Sequence, residues 1–296
     1  MNNRQDVRWL LSAVLLTAWA FIVVFFYYAV HKPFEARNAV ALVSAVLDLA
    51  IAGGLVWIAV GVGLRCLPRL DDVTLSEGLA LGGGLGLGMA GLAVLAVGLL
   101  GGLYRGLFWA LFVVGLGVAI PQVVRFLRVR ASERLDVPEG RLYRFLAMFV
   151  ALMLGVALLL ALTPPIAWDS LVYHLTGPKL YMEAHRVTAA MGLPYQGFPA
   201  LTEMLYTAGM VLKGPMVAQL IHWAFLALTL VLVYALARRY FDIRVGWLSM
   251  ALLCGVPTIY GLASTSYVDL ALMFHGLAAA YCLVRWKENY RVHWLL

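Results

Sequence analysis

Charged residues are scarce in this sequence, and apolar residues take their place. Of the 296 residues, 12% are Asp, Glu, Lys or Arg and 64% are hydrophobic, and the mean hydropathy is +0.90. A water-soluble domain of this composition would expose large apolar patches and would aggregate. The composition therefore excludes a soluble globular protein and predicts an all-α, polytopic membrane protein, a bundle of transmembrane helices.

Cysteine is also rare, which argues against two classes of site. The three cysteines are Cys66, Cys254 and Cys282. They form no Cys-x-x-Cys pair and no Cys/His cluster at the spacing of a zinc site, so we expect neither a disulfide framework nor a structural zinc. We interpret them as small apolar fillers. The formal net charge of +7 is expected to lie in cytoplasmic loops, so it does not indicate a nucleic-acid partner.

Long apolar runs dominate what is present. They predict about eight or nine membrane helices, since roughly 20 apolar residues cross the hydrocarbon layer. The first run is too long for a cleaved signal peptide, so we interpret it as a retained helix. The predicted helices cover residues 9–30, 39–64, 75–101, 103–124, 145–163, 216–237, 245–263 and 267–284, and a ninth would begin at Trp294.

The orientation in the membrane is predicted from the positions of the basic residues. Residues 125–144 hold the densest group of arginines, so this loop is expected in the cytoplasm. It separates a four-helix N-terminal region (1–124) from a C-terminal core (145–296), which we expect to be incomplete at its end. The N-terminus is then cytoplasmic, and the loop 164–215 is extracytoplasmic, on the outer side of a cytoplasmic (inner) membrane.

Within that loop, residues 198–212 raise the question of a further crossing. The segment is short and contains Glu203. A crossing would place the arginines of the following loop outside, against the positive-inside rule. We therefore predict interfacial helices in this loop. This arrangement puts Asp169 and Asp269 on the same side of the membrane.

Several polar patterns inside the apolar runs receive a structural interpretation. The segment 86–91 matches the Gly-x-Gly-x-x-Gly fingerprint of dinucleotide sites, but it lacks the preceding strand, so we predict close helix packing instead. Asp48 is either a packing contact or a proton or substrate relay, and we favour the contact. Gln219, His222 and His275 are expected to hydrogen-bond between helices and to bind no metal.

The densest polar chemistry lies in the stretch TPPIAWDSLVYHLTGPK, residues 163–179. Its two leading prolines end the preceding membrane helix. Apolar residues then recur at helical spacing, which predicts a short amphipathic helix along the interface that Gly177-Pro178 ends. Asp169 and Tyr173 lie on the other face of this helix. The apolar positions are Trp168, Leu171, Val172 and Leu175.

Two acids lie at predicted helix starts on the outer side. Asp169 begins the amphipathic helix, and Asp269 in ASTSYVD (263–269) begins a membrane helix. A carboxylate at a helix start is stabilised by the exposed backbone N–H groups, so capping accounts for both without any function. The alternative is that the two carboxylates converge on a shared pocket. The residues alone leave both interpretations open.

At these residues the chain resembles a known family. The run P-P-x-x-W-D-S-L-x-Y-H-L-x-x-P-K-x-Y (164–181) is similar to the first extracytoplasmic loop of GT-C-fold glycosyltransferases, which include protein O-mannosyltransferases and aminoarabinose transferases. The resemblance continues at FPALTEMLY (198–206), ALARRYF (235–241) and ASTSYVDLAL (263–272). It covers the C-terminal half of the chain.

The resemblance implies a reaction and a set of site residues. Such enzymes transfer a sugar from a polyprenyl-phosphate carrier to a hydroxyl of a lipid, glycan or protein acceptor, outside the membrane and, by analogy, with inversion. Asp169 would accept the proton of the acceptor hydroxyl, and Asp269 would orient the acceptor or bind a divalent cation. Lys179 or Arg186 would neutralise the donor phosphate. The remaining contacts to donor and acceptor would come from Tyr173, His174 and Glu203.

Two other functions remain open at this stage. A transporter or flippase of lipid-linked or small substrates would place acids in the middle of the membrane, and Asp48 is the one residue that favours it. A non-catalytic membrane subunit is the third alternative. We favour the transferase because Asp169 and Asp269 lie at helix ends.

One residue departs from the family pattern. The family commonly has Asp-Glu at the first-loop acid, whereas here Ser170 follows Asp169.

Overall fold

The computed structural model of this chain describes residues 15, 18–19, 21–23, 25–26, 36–67, 73–130, 132–133, 136–188, 192, 195 and 199–295. Within these residues every regular element is a helix or a helical turn, and none is a strand. The predicted all-α class is therefore confirmed. The chain separates into two units, Met1–Leu47 and Asp48–Leu296. The described residues of the first unit are helical.

Ten α-helices have their bounds within the described residues. A π-helical turn at Ser170–His174 and a 3-10 turn at Val292–Trp294 accompany them. In chain order the helices are α1 (Ala36–Cys66), α2 (Leu75–Leu99), α3 (Arg105–Val129), α4 (Arg141–Ala161), α5 (Thr176–Glu183), α6 (Leu201–Leu212), α7 (Pro215–Tyr240), α8 (Ile243–Cys254), α9 (Pro257–Leu262) and α10 (Asp269–Asn289).

Five of the described helices are long and apolar enough to cross a membrane, by length and composition. A helix of 25 residues, such as α2, is about 37 Å long and exceeds the roughly 30 Å of hydrocarbon. The predicted helical membrane bundle is therefore confirmed. The run 9–30 lies largely outside the described residues, so the predicted total of eight or nine spans stays a prediction. The five are α2, α3, α4, α7 and residues Asn38–Cys66 of α1.

The predicted single helix over 245–263 is wrong, because the chain divides there into two short helices. Helix α8 ends at Cys254 and α9 begins at Pro257. Proline has no N–H to continue the hydrogen-bond ladder, yet it fits the first turn of a helix, so it ends one helix and starts the next. The helix predicted over 267–284 is present as α10, although α10 is not among the five apolar spans.

The short helix predicted after Pro164-Pro165 also differs from the expectation. The chain is helical from Trp168, forms the π-helical turn Ser170–His174, and continues as α5. Gly177 and Pro178 therefore lie in the first turn of α5 and do not end a helix. A proline is tolerated in a first turn because an N–H there would have no partner within the helix.

Helix α6 covers the segment that was predicted to lie at the interface. Its 12 residues are about 18 Å long, too short to cross the hydrocarbon. However, most of them, including Tyr206 and Leu212, are buried, and α6 packs against α2, α5 and α7. The interfacial placement is therefore corrected. Helix α6 is an internal helix, and it carries Glu203 into the interior of the second unit.

Helix α7 is the central helix of the second unit, in contact with α2, α4, α6, α8 and α10. A helix that is apolar around its whole circumference needs neighbours on all sides. Gln219 of α7 donates from Nε2 to the carbonyl oxygens of Ala161 (3.0 Å) and Thr163 (2.7 Å), which the end of α4 leaves without helical partners. His275 of α10 lies 3.4 Å from the Gly84 carbonyl oxygen of α2. Both predicted contacts between helices are confirmed.

The glycine-rich helix α2 packs directly against α1, as the sequence predicted. A Cβ atom on Gly86 would lie 1.7 Å from the carbonyl oxygen of Ala59, and one on Gly63 would lie 1.8 Å from that of Gly82. No other residue permits two helix backbones to approach so closely. The Gly-x-Gly-x-x-Gly segment therefore lies in a helix–helix contact.

A buried carboxylate joins one end of α2, α7 and α10. The Glu77 side chain is fully buried and accepts from Arg239 of α7 (Nη2 to Oε2, 2.8 Å) and from the Tyr281 hydroxyl of α10. It also accepts from the backbone N–H of Thr74 at 2.7 Å, which completes a capping box at the start of α2. The buried guanidinium of Arg285 lies 3.8 Å away. This network fixes three helices to one another.

Candidate functional site

A cavity of about 410 Å³ lies between the chain around the π-helical turn, the start of α6 and the start of α10. Five of the seven site residues proposed from the sequence line it. They come from three separate parts of the chain, which only the fold brings together. The five are Asp169, Tyr173, His174, Glu203 and Asp269.

The two aspartates on this wall are not helix caps. Asp169 has helical backbone angles (φ −62°, ψ −36°), and its side chain makes no capping hydrogen bond in the described structure. Asp269 is the first residue of α10, where the exposed N–H groups of the first turn still favour a carboxylate, and the N-cap position belongs to Val268. A capping hydrogen bond therefore accounts for neither carboxylate. Both remain available to a molecule in the cavity.

A buried hydrogen bond ties the two acidic segments together. The backbone N–H of Ser266 donates to Oγ of Ser170 at 3.1 Å, and both residues are fully buried. Ser170 follows Asp169, and Ser266 lies three residues before Asp269. Ser170 thus has a structural role, since it holds the segment of one acid against that of the other.

His222 of α7 fixes the segment that precedes Asp269 through three hydrogen-bond contacts. Its Nδ1 lies 3.1 Å from the carbonyl oxygen of Leu262 and 2.9 Å from that of Thr265, and its Nε2 accepts from the N–H of Leu270 at 3.2 Å. Carbonyl oxygens only accept and a backbone N–H only donates, so the ring is neutral with its proton on Nδ1. The predicted contact between helices is confirmed, and it positions the start of α10.

His174 and Glu203 form a buried pair on the cavity wall. The distance from His174 Nδ1 to Glu203 Oε1 is 2.7 Å, and the side chains are only 5% and 11% exposed. The other carboxylate oxygen, Oε2, is buried and has no hydrogen-bond partner among the described residues. The pair joins the π-helical turn to α6. It resembles the arrangement in which a carboxylate orients a reactive imidazole.

Tyrosine rings make up much of the remaining wall. The ring centroid of Tyr173 lies 4.1 Å from that of His174 and 5.0 Å from that of Tyr195, and the His174 ring lies 5.6 Å from Tyr267. The sequence analysis did not single out Tyr195 or Tyr267. The sequence could have indicated Tyr267, because it lies two residues before Asp269, next to the start of a predicted membrane helix.

The carboxylates make the cavity wall acidic, and they affect the pKa of Tyr173. Burial raises the pKa of the Tyr173 phenol, and the charges of Asp169, Tyr267, Asp269 and Glu203 raise it further. The phenol therefore keeps its proton at neutral pH and is a hydrogen-bond donor towards the cavity.

The two predicted cations do not lie on the cavity wall. Lys179 projects from α5 with 68% of its side chain exposed, and its Nζ is 4.0 Å from Glu183. Arg186, just after α5, is also exposed. The wall residues that the structure describes include no lysine or arginine. Residues 189–198, part of which lies outside the description, contain none either.

Asp48, for which the sequence offered no partner, is paired with Lys213. Lys213 Nζ lies 2.7 Å from Asp48 Oδ1, and the Asp48 side chain is 2% exposed. The contact is an ion pair by distance. The favoured interpretation as a packing contact agrees with this pair. Lys213 directly follows α6 and Asp48 lies in α1, so only the packing of these helices reveals the partnership.

The described residues contain no group of three or more His, Cys, Asp or Glu side chains that would hold a metal ion. The acids instead line a space of molecular size. We therefore assign no step of a reaction to a divalent cation.

Comparison with known proteins adds no family assignment. No family model matches the chain, and no curated protein and no solved structure is significantly similar to it. The function must therefore be argued from the cavity and its residues.

Proposed function

We propose that this protein is a membrane glycosyltransferase that moves a sugar from a polyprenyl-phosphate carrier to an acceptor hydroxyl. The observation that carries the proposal is the convergence of Asp169 and Asp269 on one cavity, beside His174 and Glu203. The cavity is lined by the π-helical turn, by α5, α6 and α9, and by the chain at the start of α10. Helices α6 and α10 pack against the apolar helix α7, so a carrier lipid could remain in the bilayer while its headgroup reacts. The volume of about 410 Å³ is within the usual range for small-molecule sites.

The carboxylates supply what this reaction needs. The acceptor oxygen attacks the anomeric carbon and forms a new C–O bond. The bond from that carbon to the phosphate oxygen breaks, and its electron pair leaves with the phosphate. The proton of the acceptor hydroxyl passes to the Asp169 carboxylate. A phosphate is a good leaving group because it is already anionic near neutral pH, so no general acid is required.

The other wall residues have supporting roles in this proposal. Asp269, at the exposed start of α10, accepts a hydrogen bond from the acceptor or the sugar. The Tyr173 phenol, which stays protonated, donates one. Lys179 and Arg186 lie off the wall, so the part of the donor that they contact is outside the cavity. In the cell, the cavity would face the outer side of the cytoplasmic membrane.

The structure favours no second function. A transporter drew its support from Asp48, and the ion pair with Lys213 accounts for the burial of that carboxylate without transport.

Asp169→Asn tests the proposal. We expect the variant to fold and insert like the wild type and to lose sugar transfer by about 10²-fold or more, because the amide cannot take the proton. The purified chain in lipid nanodiscs is given undecaprenyl phosphates that carry different radiolabelled sugars, with total membrane lipid as the acceptor. Release of label from the carrier is measured.

Asp136→Asn is the matched control. Asp136 is exposed, and it is the backbone carbonyl, not the carboxylate, that accepts from the Trp247 indole at 2.9 Å. This variant should transfer sugar at the wild-type rate. Full turnover by Asp169→Asn would remove Asp169 from the reaction, and failure of the wild type with every donor would contradict the transferase.

A further inference from the structure

The cavity has an excess of negative charge for an enzyme whose donor carries a phosphate. Asp169, Glu203 and Asp269 lie on its wall, and none of the described wall residues is a lysine or arginine. Like charges that lie close together in a partly buried site repel each other strongly. A phosphate therefore needs a positive group on this wall. The predicted cations, Lys179 and Arg186, do not supply it.

His174 is the wall residue whose side chain can carry a positive charge. Its Nδ1 lies 2.7 Å from Glu203 Oε1. An ionised carboxylate at this distance accepts from the Nδ1–H and can balance the charge of a protonated ring, whose Nε2–H then donates to a ligand. Both side chains are nearly buried, so solvent ions screen the attraction little. The other carboxylate oxygen of Glu203, Oε2, is buried and has no hydrogen-bond partner among the described residues.

We propose that His174, protonated and held by Glu203, binds the phosphate of the lipid-linked donor through its Nε2–H. This inference rests on the proposed function and names the cation that the proposed reaction lacks. Glu203 is then a positioning residue that acts through His174. Asp169 and Asp269 remain the carboxylates that serve the acceptor.

Several titratable groups surround His174. The charged groups on its own turn and on α6 and α10 are acids, so they attract a protonated ring and do not repel it. His222 of α7 is a neutral ring within electrostatic range of His174. The groups are Asp169 and Tyr173 of the turn, Tyr181 of α5, Glu203 of α6, His222 of α7, Tyr267, and Asp269 of α10.

The proposal gives an unusual dependence on pH. A phosphate monoester gains negative charge as the pH rises past about 6, so a permanent cation would bind it more tightly at higher pH. A protonated histidine, by contrast, loses its positive charge as the pH rises. Binding of a lipid phosphate should therefore weaken as the pH rises, which is opposite to the trend that Lys179 or Arg186 would produce.

The test measures binding of undecaprenyl phosphate to the full chain in nanodiscs between about pH 6 and pH 9. We expect the wild-type affinity to fall at least about tenfold over this range, a difference of about 1.4 kcal/mol. His174→Gln and His174→Ala should bind weakly at every pH. His174→Arg should restore binding and reverse the pH dependence, so that the affinity rises with pH. Glu203→Gln should weaken binding, because the carboxylate that holds the ring is gone.

His185→Ala is the control variant. His185 stacks on Tyr104 with ring centroids 4.3 Å apart and does not line the cavity, so its loss should leave the pH profile unchanged. Undecaprenol, which lacks the phosphate, should bind without pH dependence. Equal competition by inorganic phosphate would overturn the assignment to a lipid-linked phosphate.

The outcomes separate this inference from the proposed function. Wild-type affinity that stays level or rises with pH would overturn it, as would unchanged binding by folded His174→Gln. Sugar transfer that survives His174→Gln at the wild-type KM for the donor would also contradict the inference and leave the transferase standing. Tight binding at low pH without transfer of any sugar would support the phosphate site and contradict the transferase.

Discussion

At the scale of single residues, the acids of the cavity are positioned by neutral neighbours. The Ser170 hydroxyl accepts from the Ser266 N–H, and the Tyr206 hydroxyl donates to the Tyr267 carbonyl oxygen. Neither hydroxyl belongs to a charged group. Both bonds fix the backbone on which Asp269 stands, so the separation of the two carboxylates is set by buried polar contacts.

Ser170→Ala should therefore affect both stability and activity. It leaves the Ser266 N–H buried without an acceptor, which costs about 1–3 kcal/mol. We expect a lower thermal midpoint in detergent and slower sugar transfer at saturating donor, because the acid segments lose their link. Ser264→Ala is the comparison, since Ser264 bonds only to the Gly261 carbonyl oxygen of its own turn at 3.1 Å. Equal stability of the two variants would contradict a linking role.

The sequence could locate site residues better than it could locate their partners. Acids at two predicted helix starts drew attention to Asp169 and Asp269, the resemblance to a family added His174, and the cavity brings the three together. The Ser170–Ser266 bond joins residues 96 positions apart, and no local pattern encodes which hydroxyl meets which amide. The same holds for the His174–Glu203 pair, because its geometry depends on how α6 packs against the π-helical turn.

At the scale of helices, the predictions succeeded where one physical cause decided the outcome. Glycine spacing predicted the contact of α2 with another helix, because missing side chains permit close backbones. Hydropathy failed over 245–263, since the apolar character continues through a break that Pro257 imposes on hydrogen bonding. The positive-inside rule correctly argued against a crossing by α6, but the interfacial placement that followed from it is wrong, because α6 is buried in protein. Apolar surfaces buried by lipid and by protein have the same composition.

Glycines on α2 provide a paired test of the helix contact. Gly86→Leu should destabilise the protein by about 1–3 kcal/mol or more, because even its Cβ meets the Ala59 carbonyl oxygen at 1.7 Å. Gly88→Leu should be neutral or stabilising, since no atom lies within 4 Å of a Cβ there and leucine is the better helix former. Thermal unfolding in detergent, followed by helix content, compares them. Equal losses would indicate that α1 does not pack on this face.

At the scale of the whole molecule, the composition predicted the class but not the internal charges. Few charged residues in a long apolar chain indicate membrane helices, and the structure has them. The sequence analysis did not foresee that Glu77 would bind residues of α7 and α10, because its partners are 162 and 204 positions away. The orientation in the membrane remains a prediction from the arginines of 125–144.

Glu77→Gln tests the network that joins α2, α7 and α10. Removing the carboxylate leaves the buried Arg285 and the half-buried Arg239 without their shared counter-charge, which costs about 3–5 kcal/mol. We expect a large fall in thermal stability. Glu288→Gln is the control, because the Glu288 carboxylate lies 3.4 Å from the same guanidinium, at Nε, but is 44% exposed, so solvent screens it and its loss should cost less stability than that of the buried Glu77. Similar effects of both variants would show that burial adds nothing here.

The His222 ring has a consequence for how the chain leaves regular helix between Leu262 and Leu270. A neutral imidazole with one donor and one acceptor reproduces the hydrogen-bonding capacity of a peptide unit. It therefore replaces hydrogen bonds that a regular helix would make, so the backbone can leave the helical conformation while its buried polar groups keep partners. An irregular loop beside the candidate site can thus be buried because a single side chain imitates the main chain.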